Sequence, residues 1–252
     1  MQLRKTPSFW PLRVIAAVAR APRRLSVNLW YRLYNWADTE QAAPLPDKKM
    51  AGITPREASF KELSFTFSLI ALAAHIARAD GTITPEKYVA FRDAFPLMGG
   101  MCGKLRSLFA VACASTAQFT HYVNQIKFAY PRNIPLFMEL VDRLFRIAAA
   151  DGTISPAEEL LLARVAHMLE LSAGQYSEIR DRYAGAPQPH RVLGVHPRVS
   201  PSMLKQRYRD LMRRYHPDRF AAQDLSPEVE MLLRLKASEI NDAYKVLSKK
   251  AA

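Results

Sequence analysis

The residues best suited to a specific chemistry lie near the C-terminus, in the tripeptide His216-Pro217-Asp218. The carboxylate of Asp218 can accept charge-assisted hydrogen bonds from an arginine, and the ring of Pro217 restricts the backbone that presents it. Basic residues of the preceding segment add a positive stripe that would steer the chain towards an acidic partner surface. These residues are Lys205, Arg209 and Arg213. The positive charge at this end of the chain suggests an acidic partner.

A second candidate cluster is acidic and lies in the middle of the chain. The decapeptide Ile76 to Pro85 recurs 71 residues later as Ile147 to Pro156, with eight of ten residues identical. Each copy contains an Asp-Gly pair, but an EF-hand calcium loop needs a glutamate at its twelfth position, where this chain has Phe91 and Leu162. No metal is therefore expected, and a weaker site shared by the two loops stays open. Its carboxylates would be those of Asp80, Asp151, Glu158 and Glu159.

The common signatures of catalysis are absent from the sequence. There is no HExxH, GxSxG, Walker or GxGxxG pattern. The two cysteines, Cys102 and Cys113, form no CxxC pair of the kind that binds zinc or performs redox chemistry. We therefore expect a protein that is not an enzyme, needs no cofactor and works in a reducing compartment.

Two amphipathic helices must hold the tripeptide. Ser200-Pro201 is an N-cap pair that opens the first helix, which must end at His216 because proline disfavours helical geometry in the residue before it. Ser226-Pro227 opens the second helix in the same way. Their apolar faces comprise Leu204, Tyr208, Leu211, Met212 and Tyr215 on the first helix, and Val229, Leu233, Ile240, Tyr244 and Leu247 on the second. We expect an antiparallel pair with the tripeptide at the turn.

The apolar residues between positions 60 and 183 also recur at helical spacing. Helix boundaries explain most of the repeated decapeptide, because Gly81 and Gly152 suit the left-handed position that closes a helix. Thr84 and Ser155 suit the N-cap of the helix that follows. The predicted fold class is all-α: a duplicated helical-hairpin domain followed by the antiparallel helix pair.

The net charge of +13 is concentrated at the two ends of the chain. Residues 1–36 hold seven Lys and Arg and no acid, residues 37–189 hold sixteen of each sign, and residues 190–252 have an excess of six positive charges. A protein that coats DNA would spread its charge over the folded body, so nucleic acid is not expected as a partner. The alternative function is a basic adaptor that binds an anionic membrane or nucleic acid and uses the C-terminal segment as a secondary interaction module.

Residues 1–36 combine their positive charges with Trp10, Trp30 and Trp36, a mixture that suits the surface of an anionic membrane. The apolar run Val14 to Ala19 is too short to span a bilayer. The other interpretation is that the rings pack on the globular body. We expect a cytoplasmic protein that attaches peripherally to the inner face of the cell membrane.

Residues 190–250 resemble the J domain of the Hsp40 (DnaJ) co-chaperones. The motifs that carry the resemblance are Val192-Leu193-Gly194-Val195, the basic helix Lys205 to Tyr215, the His-Pro-Asp tripeptide, and Glu239 to Tyr244. The resemblance implies docking on an Hsp70 such as DnaK, whose ATP hydrolysis it would stimulate so that an unidentified client protein is trapped. The Hsp70-binding residues that it implies are His216, Pro217, Asp218, Lys205, Tyr208, Arg209, Arg213 and Arg219.

This chain departs from the usual J-domain pattern at two positions. His190 stands where the family usually has tyrosine, and Arg207 stands where a small residue is usual. We expect both to cost some stability and to leave the tripeptide loop unaffected.

The duplicated segment with its Asp-Gly-Thr-Ile turns resembles the TerB-like domain, which is named for tellurite resistance. A TerB-like domain in front of a J domain is typical of the DjlA group of bacterial J proteins, whose members usually begin with a glycine-rich transmembrane segment that is not expected here. The predicted domains are a basic aromatic segment and linker (1–55), a TerB-like helical domain (56–184) and a J domain (185–252).

Overall fold

The computed structural model describes residues 57–81, 83–95, 109–110, 112–113, 118–184, 188–221, 223 and 225–250. All regular structure within these residues is helical, as predicted. The helices are α1 Glu57–Ala77, α2 Pro85–Ala94, α3 Phe119–Ala129, α4 Ile134–Ala148, α5 Pro156–Met168, α6 Ala173–Arg180, α7 Gln188–Leu193, α8 Pro201–Tyr215 and α9 Pro227–Lys250. Short 3₁₀ turns follow α4, α6 and α8, at Ala149–Asp151, Asp181–Tyr183 and Pro217–Arg219.

The predicted membrane-binding segment, residues 1–36, lies outside the described residues. Among the helices that are described, none is both long enough and apolar enough to cross a bilayer.

The two copies of the decapeptide form the turns of two helical hairpins, α1–α2 and α4–α5. Gly81 and Gly152 have left-handed backbone angles, with φ of +84° and +105°, which other residues adopt only at a cost. The side chains of Thr84 and Ser155 cap α2 and α5, each accepting the backbone N–H three residues later at 3.3 Å. The hairpins face each other, with α2 against α4 and α5 against α1, so the predicted duplication is confirmed.

Helix α4 is the central helix of the molecule. It packs against α1, α2, α5 and α6 of the middle domain, by which we mean helices α1–α6, and also against α9. Its apolar residues are buried, and so are the charged residues Glu139, Asp142 and Arg143. Charged groups inside a core are tolerated only when they are paired, so α4 requires ionic partners from the elements around it.

Helices α7–α9 form the C-terminal domain, in which α8 and α9 pack as the predicted antiparallel pair. Leu211 and Tyr215 are each 1% exposed between them, and α7 packs against α9. The rings of Tyr208 and Tyr244 stack with their centroids 4.2 Å apart. The apolar faces predicted for both helices are thus the faces that meet.

The middle and C-terminal domains share one continuous cluster of buried residues. Helix α9 lies against α4, and the hydroxyl of Tyr130, just before α4, donates a buried hydrogen bond of 2.8 Å to Ser226 Oγ, just before α9. The position of the tripeptide relative to the middle domain is therefore set by direct packing between the two domains.

Candidate partner-binding site

The tripeptide ends α8 in the predicted way. His216 leaves helical geometry with ψ of 133°, and Pro217 begins the short 3₁₀ turn. The backbone N–H of Asp218 donates to His216 Nδ1 at 3.3 Å. The N–H of buried Phe220 donates to the Pro217 carbonyl at 2.9 Å. Backbone hydrogen bonds and one apolar anchor therefore order residues 216–220, which we call the tripeptide loop.

The side chains of the tripeptide loop face solvent. The His216 side chain is 51% exposed and the Asp218 side chain is 90% exposed. The Asp218 carboxylate is open to water, and the contact given for its side chain is a long one of 3.5 Å from Oδ2 to His216 Nδ1, so a partner's guanidinium can reach it. The loop therefore has the properties of a preformed acceptor for a basic group on another protein.

The basic stripe, Lys205, Arg209 and Arg213, lies on the exposed face of α8, as predicted. Arg213, 78% exposed, is paired with Asp210 on the same helix. Arg219 donates from Nη1 to the Arg213 carbonyl at 3.2 Å, so the loop is joined to the last turn of α8. The tripeptide loop and the stripe therefore form one continuous exposed surface.

Tyr208 differs from the other predicted site residues because it is partly buried between α8 and α9. Its hydroxyl donates to Asn241 Oδ1 at 2.9 Å, and its ring stacks on that of Tyr244. The structure thus brings seven of the predicted residues to the exposed surface, whereas Tyr208 holds the helix pair together beneath it.

A buried ion cluster lies on the opposite side of the C-terminal domain, where α9 contacts α4. The ammonium of Lys236, which is 1% exposed, lies 2.6 Å from Asp142 Oδ2 and 3.1 Å from Glu139 Oε2. Burial by itself would lower the pKa of Lys236, but the charges of Asp142 and Glu139 outweigh it and raise that pKa. Arg143 pairs with Glu139 at 2.6 Å. Lys236 therefore supplies the cation that the carboxylates of α4 require.

A second interdomain cluster surrounds Glu178 on α6. Its carboxylate accepts from Arg182 at 2.8 Å, from Arg214 at 3.3 Å and from Arg207. Burial would raise the pKa of Glu178, but the nearby guanidinium of Arg207 outweighs it, and the pKa is lowered. Arg207 also donates to the Leu193 carbonyl at 2.9 Å. Arg207, expected from the family pattern to cost stability, thus ties the C-terminal domain to the middle domain.

The acidic residues of the two Asp-Gly loops meet around a lysine. The ammonium of Lys87, whose side chain is 0% exposed, lies 2.7 Å from Asp80, 3.0 Å from Glu158 and 3.3 Å from Asp151. Lys87 occupies in α2 the position that Glu158 occupies in α5. Glu159, the fourth candidate metal ligand, is exposed on α5. One repeat therefore contributes a cation where the other contributes an anion. We call Lys87, Asp80, Asp151 and Glu158 the repeat cluster.

The sequence interpretation missed Lys236, Glu178 and Glu139 as determinants of the site. The signal that could have indicated them is the set of charges inside the apolar helix α4, which includes Glu139, Asp142, Arg143 and Arg146. Arg146 reaches Glu239 of α9 with two hydrogen bonds of 3.2 and 3.3 Å. Helical spacing indicates that such charges are present, but it does not identify partners about 95 residues away.

Comparison with known protein families finds two matches. Residues 66–181 match the family described as tellurite resistance protein TerB, and residues 188–252 match the DnaJ domain. The chain is 25% identical over 235 residues to the co-chaperone protein DjlA of Vibrio parahaemolyticus, with 79% of this chain and 81% of that protein covered. It is 24% identical over 229 residues to the co-chaperone protein DjlA of Escherichia coli K12, with 79% and 83% covered. No solved structure matches the chain.

Proposed function

From the premise that the chain is a DjlA-like J-domain protein with a TerB domain ahead of its DnaJ domain, we propose that it docks on an Hsp70. The docking surface would be the tripeptide loop together with the basic stripe, and docking would stimulate ATP hydrolysis by the Hsp70. The stimulated Hsp70 would close on a client protein. The chain itself would act as a non-enzymatic regulator whose effect comes from binding one conformation of its partner more tightly than another.

One observation carries the proposal: the tripeptide loop and the basic stripe share a single exposed surface while the domain that bears them is packed against TerB. His216, Pro217, Asp218 and Arg219 are all exposed, and so are the three residues of the stripe. A partner of Hsp70 size can reach them without separating the domains.

Different residues of this surface would control the rate at which the Hsp70 associates and the rate at which it dissociates. The positive charges of the stripe would raise the rate of encounter with an acidic surface of the Hsp70, an effect that falls with salt. The Asp218 carboxylate would then form a charge-assisted bond with an arginine of the Hsp70, which slows dissociation. His216 would donate from Nε2, since its Nδ1 already accepts the N–H of Asp218.

Single-turnover ATP hydrolysis by the Hsp70 of the same organism tests the proposal. The wild-type chain is expected to accelerate hydrolysis, and Asp218→Asn or His216→Gln is expected to abolish the acceleration without a change in melting temperature. The matched control is Asp242→Asn, which removes a carboxylate of α9 whose side chain is 69% exposed and which should leave the acceleration unchanged. Equal acceleration by the wild type and by Asp218→Asn would overturn the proposal.

We propose further that residues 1–36 hold the protein peripherally on the cytoplasmic face of a membrane. The support is their seven positive charges, unopposed by any acid, and their three tryptophans. Binding to vesicles should require anionic lipid, weaken with salt and disappear when residues 1–40 are deleted. Equal binding to neutral vesicles would contradict this attachment, and salt-sensitive DNA binding that survives the loss of His216 and Asp218 would favour the basic-adaptor alternative.

A further inference from the structure

Two open grooves adjoin at the junction of the domains, directly beside the tripeptide loop. The first has a volume of about 380 Å³ and lies between residues 129–133 with Pro135, at the start of α4, and Arg219, Phe220, Gln223 and Leu225 of the C-terminal domain. The second has a volume of about 290 Å³ and lies between the first turn of α4 and the last turn of α8. Pro135 and Arg219 line both grooves. The twin grooves therefore adjoin the tripeptide loop at Arg219.

Residues of both domains hold the walls of the twin grooves in place. The Tyr130 hydroxyl donates to Ser226 Oγ at 2.8 Å, and the Asn133 amide donates to Gln223 Oε1 at 3.4 Å. The Lys236 cluster fixes α9 on α4 behind them. The middle-domain wall is therefore kept beside the loop, and a docked partner would meet the two domains as one surface.

The described lining of the twin grooves carries an excess of positive charge. The arginines that line them are Arg132, Arg213, Arg214 and Arg219. The acidic residue in the described lining is Asp210, which is already paired with Arg213, and Arg214 is paired with Glu178. The excess charge suits an acidic ligand, and Arg132 brings part of that charge from the middle domain.

Arg132 is held in an unusual backbone conformation. It is exposed and has φ of +58°, in the left-handed region that Asn and Gly adopt more readily than a long side chain does. The carbonyl of Arg132 accepts the N–H of Ile134 at 3.0 Å in this turn. The chain thus carries an arginine at a position where backbone preference favours asparagine or glycine. A role of the Arg132 charge in binding an acidic ligand would account for this choice.

We infer that the twin grooves are a second docking surface for the same Hsp70 and that they take an acidic segment of it, adjacent to the part that contacts the tripeptide loop. This inference rests on the proposed function. It assigns to the TerB domain, through Arg132, a direct share in the affinity for the Hsp70. The reasons for choosing the Hsp70 as the occupant are the shared residue Arg219 and the positive charge of the grooves.

The test is the Kd of the full-length chain for the ATP-bound Hsp70, measured at low and at physiological salt. Arg132→Glu is expected to weaken binding about 10-fold, and Arg132→Asn about 3- to 5-fold, with the larger effect at low salt. Arg132→Asn keeps the test valid if Arg132→Glu folds poorly, since asparagine is compatible with the left-handed backbone.

The matched control is Arg92→Asn, which removes a half-exposed arginine of α2 that lines neither groove. Its Kd should equal that of the wild type. A wild-type chain that neither binds nor stimulates the Hsp70 would overturn this inference together with the proposed function. Stimulation lost in Asp218→Asn, combined with an unchanged Kd in Arg132→Asn, would overturn this inference alone. An effect of Arg132→Asn on anionic vesicles and not on the Hsp70 would overturn it in favour of a lipid surface.

Discussion

Basic residues lie on both sides of the C-terminal domain, exposed on the outer side and paired with carboxylates on the inner side. On the outer side, Arg209 and Arg213 are exposed beside the tripeptide loop. On the inner side, Arg207 and Lys236 are paired with carboxylates of the middle domain. Exposed charges contribute little to stability and stay available to a partner, whereas desolvated charges must be paired or they destabilise the fold. The positive charge of residues 190–252 is thus divided between an exposed face and the attachment of the two domains.

The largest expected effect is on the inner side, at Lys236. The change Lys236→Met removes a buried ammonium from Glu139 and Asp142, which keep Arg143 at 2.6 Å and Arg182 at 3.5 Å as cations. The free energy of unfolding should therefore fall by about 3 kcal/mol, the lower end of the loss for a broken buried ion pair. Urea denaturation measures this loss. Lys245→Met, which alters a lysine of the same helix that is 72% exposed, should change it by less than about 0.5 kcal/mol. Equal losses of stability in Lys236→Met and Lys245→Met would contradict the conclusion that the basic residues of the inner side stabilise the fold and those exposed to solvent do not.

A smaller loss is expected at the repeat cluster, because Asp80 and Asp151 are 25% and 28% exposed and water can partly solvate them. The change Lys87→Met should lower the free energy of unfolding by about 1–3 kcal/mol, again measured with urea. Lys127→Met, at a lysine that is 37% exposed, is the control and should cost less than about 0.5 kcal/mol.

The repeat cluster also predicts how the wild-type chain responds to metal. Calcium, magnesium or zinc should leave its melting temperature unchanged, because the Lys87 ammonium lies between the carboxylates that such an ion would need. A rise of several degrees that is lost in a double variant with Asp80→Asn and Asp151→Asn would show that these loops bind a cation after all.

A pH-dependent effect is expected at Glu178. Its pKa in the folded protein is lowered, chiefly by Arg207, so its stabilising contribution is present above the ordinary glutamate pKa of about 4.3 and is lost as the pH falls through the folded value. The stability difference between the wild type and Glu178→Gln should therefore shrink between about pH 5 and pH 3. A Glu178 difference that stays constant on acidification would contradict the interdomain pairing.

The smallest effect on stability is expected on the outer side. A double change of Arg209→Glu and Arg213→Glu should alter the free energy of unfolding by less than about 1 kcal/mol, since both side chains are exposed. The same variant should associate with the Hsp70 at least about 10-fold more slowly at low salt, and the difference should narrow as salt is added. Stopped-flow association rates measure this. A large loss of stability together with an unchanged association rate would reverse the roles assigned to the two sides.

Local patterns predicted most of the elements of this fold. Ser200, His216 and Ser226 bound the C-terminal helices as expected, and Ser155 caps α5 with a full capping box. Capping, the restriction imposed by proline and helical periodicity all act over a few residues, so a single chain segment contains the whole signal. The exposure of the basic stripe was predicted for the same reason, because the angular position of a residue on a helix follows from its spacing.

Pairing between distant residues could not be predicted in this way. The apolar face of α8 was predicted to include Tyr208, but the bond of its hydroxyl to Asn241 was not predicted. The position of Lys87 among carboxylates from both repeats was not predicted either. In each case the outcome depends on which groups are brought within hydrogen-bond distance by packing and on how much water remains around them. Spacing along the chain does not contain that information.

Helix boundaries, the tripeptide loop and the duplicated turns are therefore determined by the amino-acid sequence, since short-range sterics and hydrogen bonding decide them. The tertiary structure alone decides that Lys236 and Arg207 anchor one domain to the other, and that Arg132 of the middle domain lies beside the tripeptide loop. The physical reason is that desolvation and ion pairing depend on distances in space between residues that are far apart in the chain.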